Sequence, residues 1–259
     1  MFMLSRKQPE RPAGVRDHRA YVVGDIHGRL DLLDELLEKI HLDLDQNFAK
    51  SALLVFVGDL IDRGPNSRQV LERLRTYHRP GVRSVFILGN HEEVLLRILN
   101  GESSLIASWL RFGGAQCLNS YGADPANIAN LGPLEAVDAV RAAIPAEHVD
   151  FLESFVDTCR FGDYLFVHAG VRPGVEIDDQ RQSDLRWIRE PFLLDETDHG
   201  FVVVHGHTIS AAVDERPNRI GIDTGAFATG VLTALVIENG DRWFLDTRVP
   251  ADAPVPEPH

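Results

Sequence analysis

The sequence predicts an α/β protein, and three observations predict it. Short apolar runs at residues 21–23, 53–57, 84–88, 164–167 and 201–204 have the length and composition of buried strands. Between several of them lie leucine, isoleucine and valine at helical spacing. Each of the five runs ends in a short segment that contains histidine or aspartate beside glycine. In open α/β sheets the loops beyond the carboxyl ends of the strands share one crevice. The five segments are therefore expected to meet.

Taken in order, residues 1–18 mix basic side chains with Pro9, Pro12 and Gly14 and read as a flexible arm. Their apolar stretch is too short for a secretory signal. A single domain is expected over 19–249. The first strand delivers Gly24-Asp25-Ile26-His27-Gly28-Arg29, after which Leu30, Leu33, Leu37 and Ile40 form a helical stripe. The second delivers Gly58-Asp59-Leu60-Ile61-Asp62-Arg63-Gly64-Pro65. A helix over 67–77 follows, with Val70, Leu71 and Leu74 inward, and Pro80-Gly81 ends it. The third delivers Gly89-Asn90-His91-Glu92, and Val94, Leu95, Ile98 and Leu99 again mark a helix.

Residues 101–160 break this rhythm and read as a helical insertion. It is either a cap that shapes substrate access or a layer that covers the sheet. The strand at 164–167 delivers His168-Ala169-Gly170, and an irregular segment over 171–198 follows. A loop of that length in a compact domain is commonly functional. The strand at 201–204 delivers His205-Gly206-His207-Thr208, and further strands are expected over 219–225, 231–238 and 243–246. The proline-rich tail, 250–259, reads as disordered.

Composition narrows the function classes. At 259 residues, 44% apolar and 25% charged, the chain has the make-up of an ordinary globular protein. A net charge of −13 disfavours nucleic acid or an anionic membrane surface as a partner. No apolar run approaches the roughly 20 residues that span a bilayer. With only Cys117 and Cys159, neither a disulfide framework nor a cysteine zinc site is available. A cytoplasmic enzyme or binding protein fits.

The strand-end segments supply Asp25, His27, Asp59, Asn90, His168 and His207, all oxygen or nitrogen donors that suit manganese, iron or zinc. Five of the eleven histidines, His27, His91, His168, His205 and His207, lie in these segments. Six donors are too many for one zinc but suit two adjacent divalent ions that share a carboxylate such as Asp59. Two metals roughly 3.5–4 Å apart can acidify a water and clamp the oxygens of an in-line phosphoryl displacement.

In this order GDIHG, GDLIDRG, GNHE, HAG and GHT resemble the phosphoprotein phosphatase branch of the calcineurin-like metallophosphoesterases, in particular bacterial serine/threonine phosphatases and the bacteriophage lambda phosphatase. The resemblance runs from Tyr21 to Ile237. It implies a four-layer αββα sandwich of two mixed sheets flanked by helices. It also implies that Asp25, His27 and Asp59 hold one metal, and Asp59, Asn90, His168 and His207 the other, with manganese first and iron or zinc as alternatives. His91 matches a general acid oriented by Asp62. Arg63, Asn90 and Arg189 match phosphate contacts, with Arg186 competing for the place of Arg189.

Two departures bear on this. Gly206-His207-Thr208-Ile209 lacks the second histidine of the broader superfamily's ending, as in the phosphoprotein phosphatase branch, which leaves His205 behind the metal ligands. The aromatic C-terminal signature of the eukaryotic enzymes is also missing. The resemblance implies hydrolysis of phosphoserine and phosphothreonine in proteins, extending to phosphotyrosine, by a metal-bridging hydroxide with His91 as acid. The alternative is a symmetrical dinucleoside tetraphosphate hydrolase, and the Asp62-Arg63 pair favours the protein phosphatase. A non-catalytic phospho-binding scaffold is disfavoured because no ligand is missing.

Overall fold

The computed structural model describes residues 12–46 and 51–248. Its elements run β1 (His18–Val23), α1 (Leu30–Gln46), β2 (Ser51–Phe56), α2 (Ser67–Arg75), β3 (Val82–Phe86) and α3 (Asn90–Leu99). Then come the short helices α4 (Ile106–Trp109), α5 (Ala115–Ser120), α6 (Pro125–Ala129), α7 (Pro133–Ala143) and α8 (Ala146–Glu153). The second half holds β4 (Thr158–Phe161), β5 (Tyr164–Val167), α9 (Gln182–Trp187), β6 (Val202–His205), β7 (Asp214–Glu215), β8 (Arg219–Gly221) and α10 (Ala226–Thr229). The chain closes with β9 (Thr233–Glu238) and β10 (Asp241–Asp246).

Two five-stranded mixed sheets result, ordered β10-β9-β1-β2-β3 and β4-β5-β6-β8-β7. Each contains three adjacent parallel strands: β1, β2 and β3, with β3 at the edge, in one, and β5, β6 and β8, in the middle, in the other. Side-chain alternation along these strands builds the layers. Ala20 and Val22 of β1, Val55 of β2, Tyr164 and Phe166 of β5, and Val202 and Val204 of β6 pack into one core between the sheets. The alternate residues Tyr21, Val23, Leu54 and Phe56 face α1, α2 and α3 instead. Leu165, Val167 and Val203 pack against Leu185, Ile188 and Phe192 on the far side. Because both faces of the central strands are covered, they read as continuous apolar runs. The architecture is the four-layer sandwich that the resemblance implies.

Several boundaries differ from expectation for physical reasons. Only Arg219–Gly221 of the run 219–225 forms a strand; Asp223 Oδ1 instead accepts the Gly225 N–H at 2.9 Å and turns the chain. The stretch after Trp109 continues as a wide π-turn over Leu110–Gly114, with Gly113 at φ 121°. Thr158–Phe161, within the insertion as read from sequence, pairs antiparallel with β5 as an edge strand. Of the arm, residues 1–11 lie outside the described residues. Ala13 N–H donates to Asp163 Oδ2 at 2.9 Å and Gly14 N–H to Asn239 O at 2.6 Å, so its described part is tied to the domain. The tail at 250–259 also lies outside the described residues. Among the described residues no helix is long and apolar enough to cross a membrane.

Candidate metal centre and active-site cleft

The loops after β1 and β2 are zipped together by backbone bonds. Ile26 and His27 N–H both donate to Asp59 O, Gly28 N–H donates to Leu60 O, and Gly64 N–H donates to His27 O. A Cβ at Gly64 would lie 2.1 Å from His27 O, so this approach requires glycine. His27, Asp59, Asp62, Arg63 and His207 all adopt left-handed backbone, φ 47° to 70°. Such geometry in non-glycine residues costs on the order of 1 kcal/mol or more each and persists only where surroundings impose it. Here it turns functional side chains inward.

Asp59 stands at the centre. Its Oδ2 lies 3.5 Å from His27 Nε2 and its Oδ1 lies 3.4 Å from His168 Nε2. His168 Nδ1 faces Val57 O at 2.7 Å and His27 Nδ1 faces Ile61 O at 2.8 Å. A carbonyl can only accept, so these Nδ1 atoms carry the protons and each Nε2 presents a lone pair to Asp59. Asn90 Oδ1, a further acceptor, lies 2.9 Å from both His168 Nε2 and His207 Nδ1. At His168 Nε2 the acceptors of Asp59 and Asn90 thus converge without a hydrogen between them and repel one another, and a cation resolves that repulsion. Asp25 Oδ2 accepts the His207 N–H at 3.0 Å, while Asp25 Oδ1 and the Nε2 atoms of His27 and His207 are buried with no hydrogen-bond partner among the described residues. Gly206 lets Asp25 in, since a Cβ there would lie 1.9 Å from Asp25 Oδ1.

Electrostatics point the same way. Burial pushes His27 and His207 down to about 3 and lowers His168, keeping the imidazoles in the neutral, ligating form. Burial would raise the Asp59 carboxyl, but the attraction of the surrounding histidines in their protonated forms outweighs burial and holds it well below the usual range. Burial and the neighbouring Asp223 and Asp59 push Asp25 well above that range. His27, Asp59 and His91 form one trio of donor atoms within 4.8 Å of one another, and Asp59, His168 and His207 form a second. The donor set, with Asp59 common to both trios, would fit two divalent ions.

His91 differs from its neighbours. Its Nδ1 lies 2.6 Å from Asp62 Oδ2 and its Nε2 lies 3.2 Å from Arg63 Nη2. Burial would lower its pKa, but Asp59 and Asp62 raise it to about 9. A cleft of about 430 Å³ opens beside it, lined by Arg63, Asn90, Arg189 and His207 on the polar side and by Val94, Leu105, Trp109, Phe112 and Trp187 on the other. Arg189 is thus on the cleft, whereas Arg186 is engaged with Asp157 at 2.7 Å and Glu93 at 3.5 Å. His205 belongs to neither donor trio; its Nδ1 faces Gly206 O and its ring packs edge-on against Phe192.

The calcineurin-like phosphoesterase family model matches residues 18–230. The chain belongs to that family. It is 30% identical over 226 residues to serine/threonine-protein phosphatase 1 of Salmonella typhimurium, covering 84% of this chain and 91% of that protein. It is also 32% identical over 154 residues to a symmetrical bis(5'-nucleosyl)-tetraphosphatase of Janthinobacterium, covering 59% of this chain and 44% of that one. Among solved structures, a cold-active protein-tyrosine phosphatase from a psychrophilic Shewanella superposes with a TM-score of 0.58. The two are 20% identical over 92% of this chain and 82% of that one.

Four residues of this phosphoesterase escaped the reading of its motifs. Glu92 is fully buried and accepts the N–H groups of Asp59, Leu60, Ile61 and Gly89 at 2.8–3.2 Å, fixing the loop that carries Asp59. A glutamate three residues after a helix N-cap is a legible capping signal. Trp109 donates Nε1–H to Asp62 Oδ2 at 3.0 Å from inside the insertion, which no local pattern announces. Asp223 stands against Asp25. Phe227 lies beside Arg63 and His27.

Proposed function

We propose that this phosphoesterase is a metal-dependent phosphomonoesterase that removes phosphate from serine and threonine side chains of proteins. The observation that carries the reading is the His91–Asp62 pair, set beside the Asp59 donor cluster and opening onto a cleft with an apolar wall. In this reading Asp25, His27 and Asp59 hold one divalent ion, and Asp59, Asn90, His168 and His207 hold a second, manganese being our choice over iron or zinc. When bound, the pair acidifies a water and offsets charge on the phosphoryl oxygens.

The chain's own side chains do the rest. Arg63 and Arg189 offer planar N–H forks to the phosphoryl oxygens, and the Asn90 amide adds a donor. Asp62 accepts from Nδ1–H and so turns Nε2 of His91 toward the cleft. In the imidazolium form Nε2 gives its proton to the departing oxygen, and Asp62 keeps the neutral ring in the tautomer with Nδ1–H. A serine or threonine alkoxide is a poor leaving group, and protonation is what releases it.

The cleft also bears on the alternative, a symmetrical dinucleoside tetraphosphate hydrolase. That reaction brings a polyanionic leaving group past His91. Beyond Arg63, Arg189 and the imidazolium form of His91, the cation lining the cleft among the described residues is Arg97, which pairs with Glu102 at 2.6 Å and Glu93 at 3.6 Å. A peptide side chain brings no such charge, and the walls of Val94, Leu105 and Phe112 suit it. The exposed rings of Phe112 and Trp187 are what favour the alternative, since bases stack on such faces. Side-by-side kcat/KM values on a phosphothreonine peptide and diadenosine tetraphosphate, with metal analysis of the same sample, decide between them. The expected result is a preference of at least about tenfold for the peptide, worth about 1.4 kcal/mol in the barrier; the opposite order selects the dinucleotide.

A further inference from the structure

Arg63 is bounded on three sides. Its backbone is left-handed at φ 64° and its N–H donates to Gly113 O at 3.2 Å, in the π-turn of the insertion. A Cβ on Gly113 would lie 2.4 Å from Arg63 N, so the two segments are in direct contact. Its Nη2 faces His91 Nε2. The guanidinium carbon sits 4.7 Å from the centroid of the Phe227 ring, with the cation over the aromatic face. The same ring meets His27 edge-on, centroids 5.4 Å apart and planes at 87°.

Phe227 is itself firmly seated. It belongs to the one-turn helix α10, entered through Gly225 at φ 70°. Asp223 Oδ1 accepts the Gly225 N–H at 2.9 Å, Arg29 Nη1 donates to Ala226 O at 2.9 Å, and Thr229 Oγ1 donates back to Thr224 O at 2.8 Å. Three side chains from outside and inside the turn therefore fix the platform on which the guanidinium rests.

We propose that Phe227 is the positioning residue for phosphate recognition by Arg63. The chemistry favours a ring over a carboxylate for this task. A carboxylate would hold the guanidinium equally well, but it would occupy two N–H donors and offset the charge the phosphate is meant to meet. An aromatic face binds the cation through its π-quadrupole and leaves the in-plane donors free. It also restricts the flexible stem beforehand, so less rotamer freedom is lost when the anion binds. The His27 contact places this platform against the candidate metal centre.

The inference rests on the assignment of Arg63 to phosphate made above, and the test separates the two. In the manganese-loaded full chain, Phe227→Leu, Phe227→Trp and Arg63→Ala are compared by titration with inorganic phosphate, by kcat and KM on a phosphopeptide, by metal content and by Tm. Phe227→Leu is expected to weaken phosphate binding and raise KM by about fivefold, within the range of a partly exposed cation–π contact. Its kcat is expected to stay within about twofold and its metal content at the wild-type value. Phe227→Trp, which keeps an aromatic face, is expected to recover the affinity and gives a folded comparison if the leucine variant has a lowered Tm. Unchanged phosphate affinity in Arg63→Ala overturns the assignment of Arg63 itself. A loss in Arg63→Ala without one in Phe227→Leu overturns the role of Phe227 alone. Metal loss in Phe227→Leu, or no recovery in Phe227→Trp, overturns it as well.

Discussion

Asp62 Oδ2 takes two donors at once, His91 Nδ1 at 2.6 Å and Trp109 Nε1 at 3.0 Å. Asp62 and Trp109 are separated by a helix, a strand and a second helix in the chain, and the buried carboxylate is where they meet. The proposed acid pair is thus assembled from the loop after β2, the first turn of α3 and the insertion. A histidine held this way keeps one tautomer and one ring orientation, which is what proton delivery to a fixed point requires.

If His91 delivers that proton, its removal costs turnover in proportion to how badly the leaving group needs it. His91→Asn is expected to lower kcat on a phosphothreonine peptide by about 10²–10³-fold, the usual weight of a positioned acid. With 4-nitrophenyl phosphate, whose phenolate leaves unaided, the loss is expected to be far smaller. Steady-state kinetics on both substrates check this; equal losses would remove His91 from the acid role.

Asp59 presents one oxygen to His27 and the other to His168. Asp59→Asn keeps the shape but halves the anionic acceptor capacity, so both ions are expected to weaken together. Metal content after gel filtration is expected to fall below one ion per chain, while His91→Asn retains its full complement. Elemental analysis of the two purified variants makes the comparison, and similar metal loss in both would contradict the separation of roles.

How far the site was legible follows from what kind of signal each residue leaves. Asp25, His27, Asp59, Asn90, His168 and His207 stand at the ends of apolar runs, and the strand pattern alone places such residues together. Asp62, Arg63 and His91 came with the motifs of the family. Trp109 reads in sequence as another apolar residue of a helix, because its use depends on where Asp62 ends up in three dimensions. Phe227 looked equally ordinary, since an aromatic at a short turn says nothing about an arginine far away in sequence. The apolar run 219–225 looks like one strand, but its strand ends at Gly221 because Asp223 forms a turn with Gly225 rather than continuing the ladder. Local pattern encodes elements and their ends; contacts between loops it does not encode.

Glu92 accepts four backbone N–H groups from two loops with no water between them. Burial, with Asp59 nearby, raises its carboxyl to about 7, so the arrangement is electrostatically tense as well as buried. Glu92→Gln substitutes an NH₂ group for an oxygen that faces donors, leaving buried N–H groups unpaired. A loss of about 2–3 kcal/mol in unfolding free energy is expected, as for buried groups stripped of their partners. Metal affinity is expected to fall too, because Asp59 rides on the same loop. Urea unfolding of the metal-free variant and wild type measures the first, and metal titration the second.

His205 offers a clean pH test because it stands outside the anionic cluster. Burial lowers its pKa to about 4, against 6.5 for an exposed histidine. A depressed folded-state value means that the unfolded chain takes up the proton first as pH falls. Its contribution is therefore neutral above about 6.5 and turns against folding between 6.5 and 4, by at most about 1.4 kcal/mol per pH unit. His205→Gln removes that dependence. In chelator, the difference in unfolding free energy between variant and wild type is expected to move in favour of the variant between pH 7.5 and pH 5. A difference that stays constant would show that His205 is protonated in the native state.

The last prediction concerns the insertion, which either covers the sheet or takes part in the site. Trp109 is 2% exposed, belongs to the same buried apolar cluster as Ile106 and Leu118, and lays its ring against Gly114, so Trp109→Phe keeps most of the apolar contact. What it deletes is one N–H donor to a carboxylate whose other oxygen, Oδ1, has no hydrogen-bond partner among the described residues. With less to anchor it, Asp62 holds the His91 ring less tightly, and the ring must be oriented anew in each turnover. The expected outcome is a roughly tenfold drop in kcat on the phosphothreonine peptide, with KM and metal content unchanged and little effect on 4-nitrophenyl phosphate. Such a pattern follows the leaving group, as a fault in proton delivery must. A layer that merely covers the sheet would instead lower Tm and leave the ratio of the two substrates where it was.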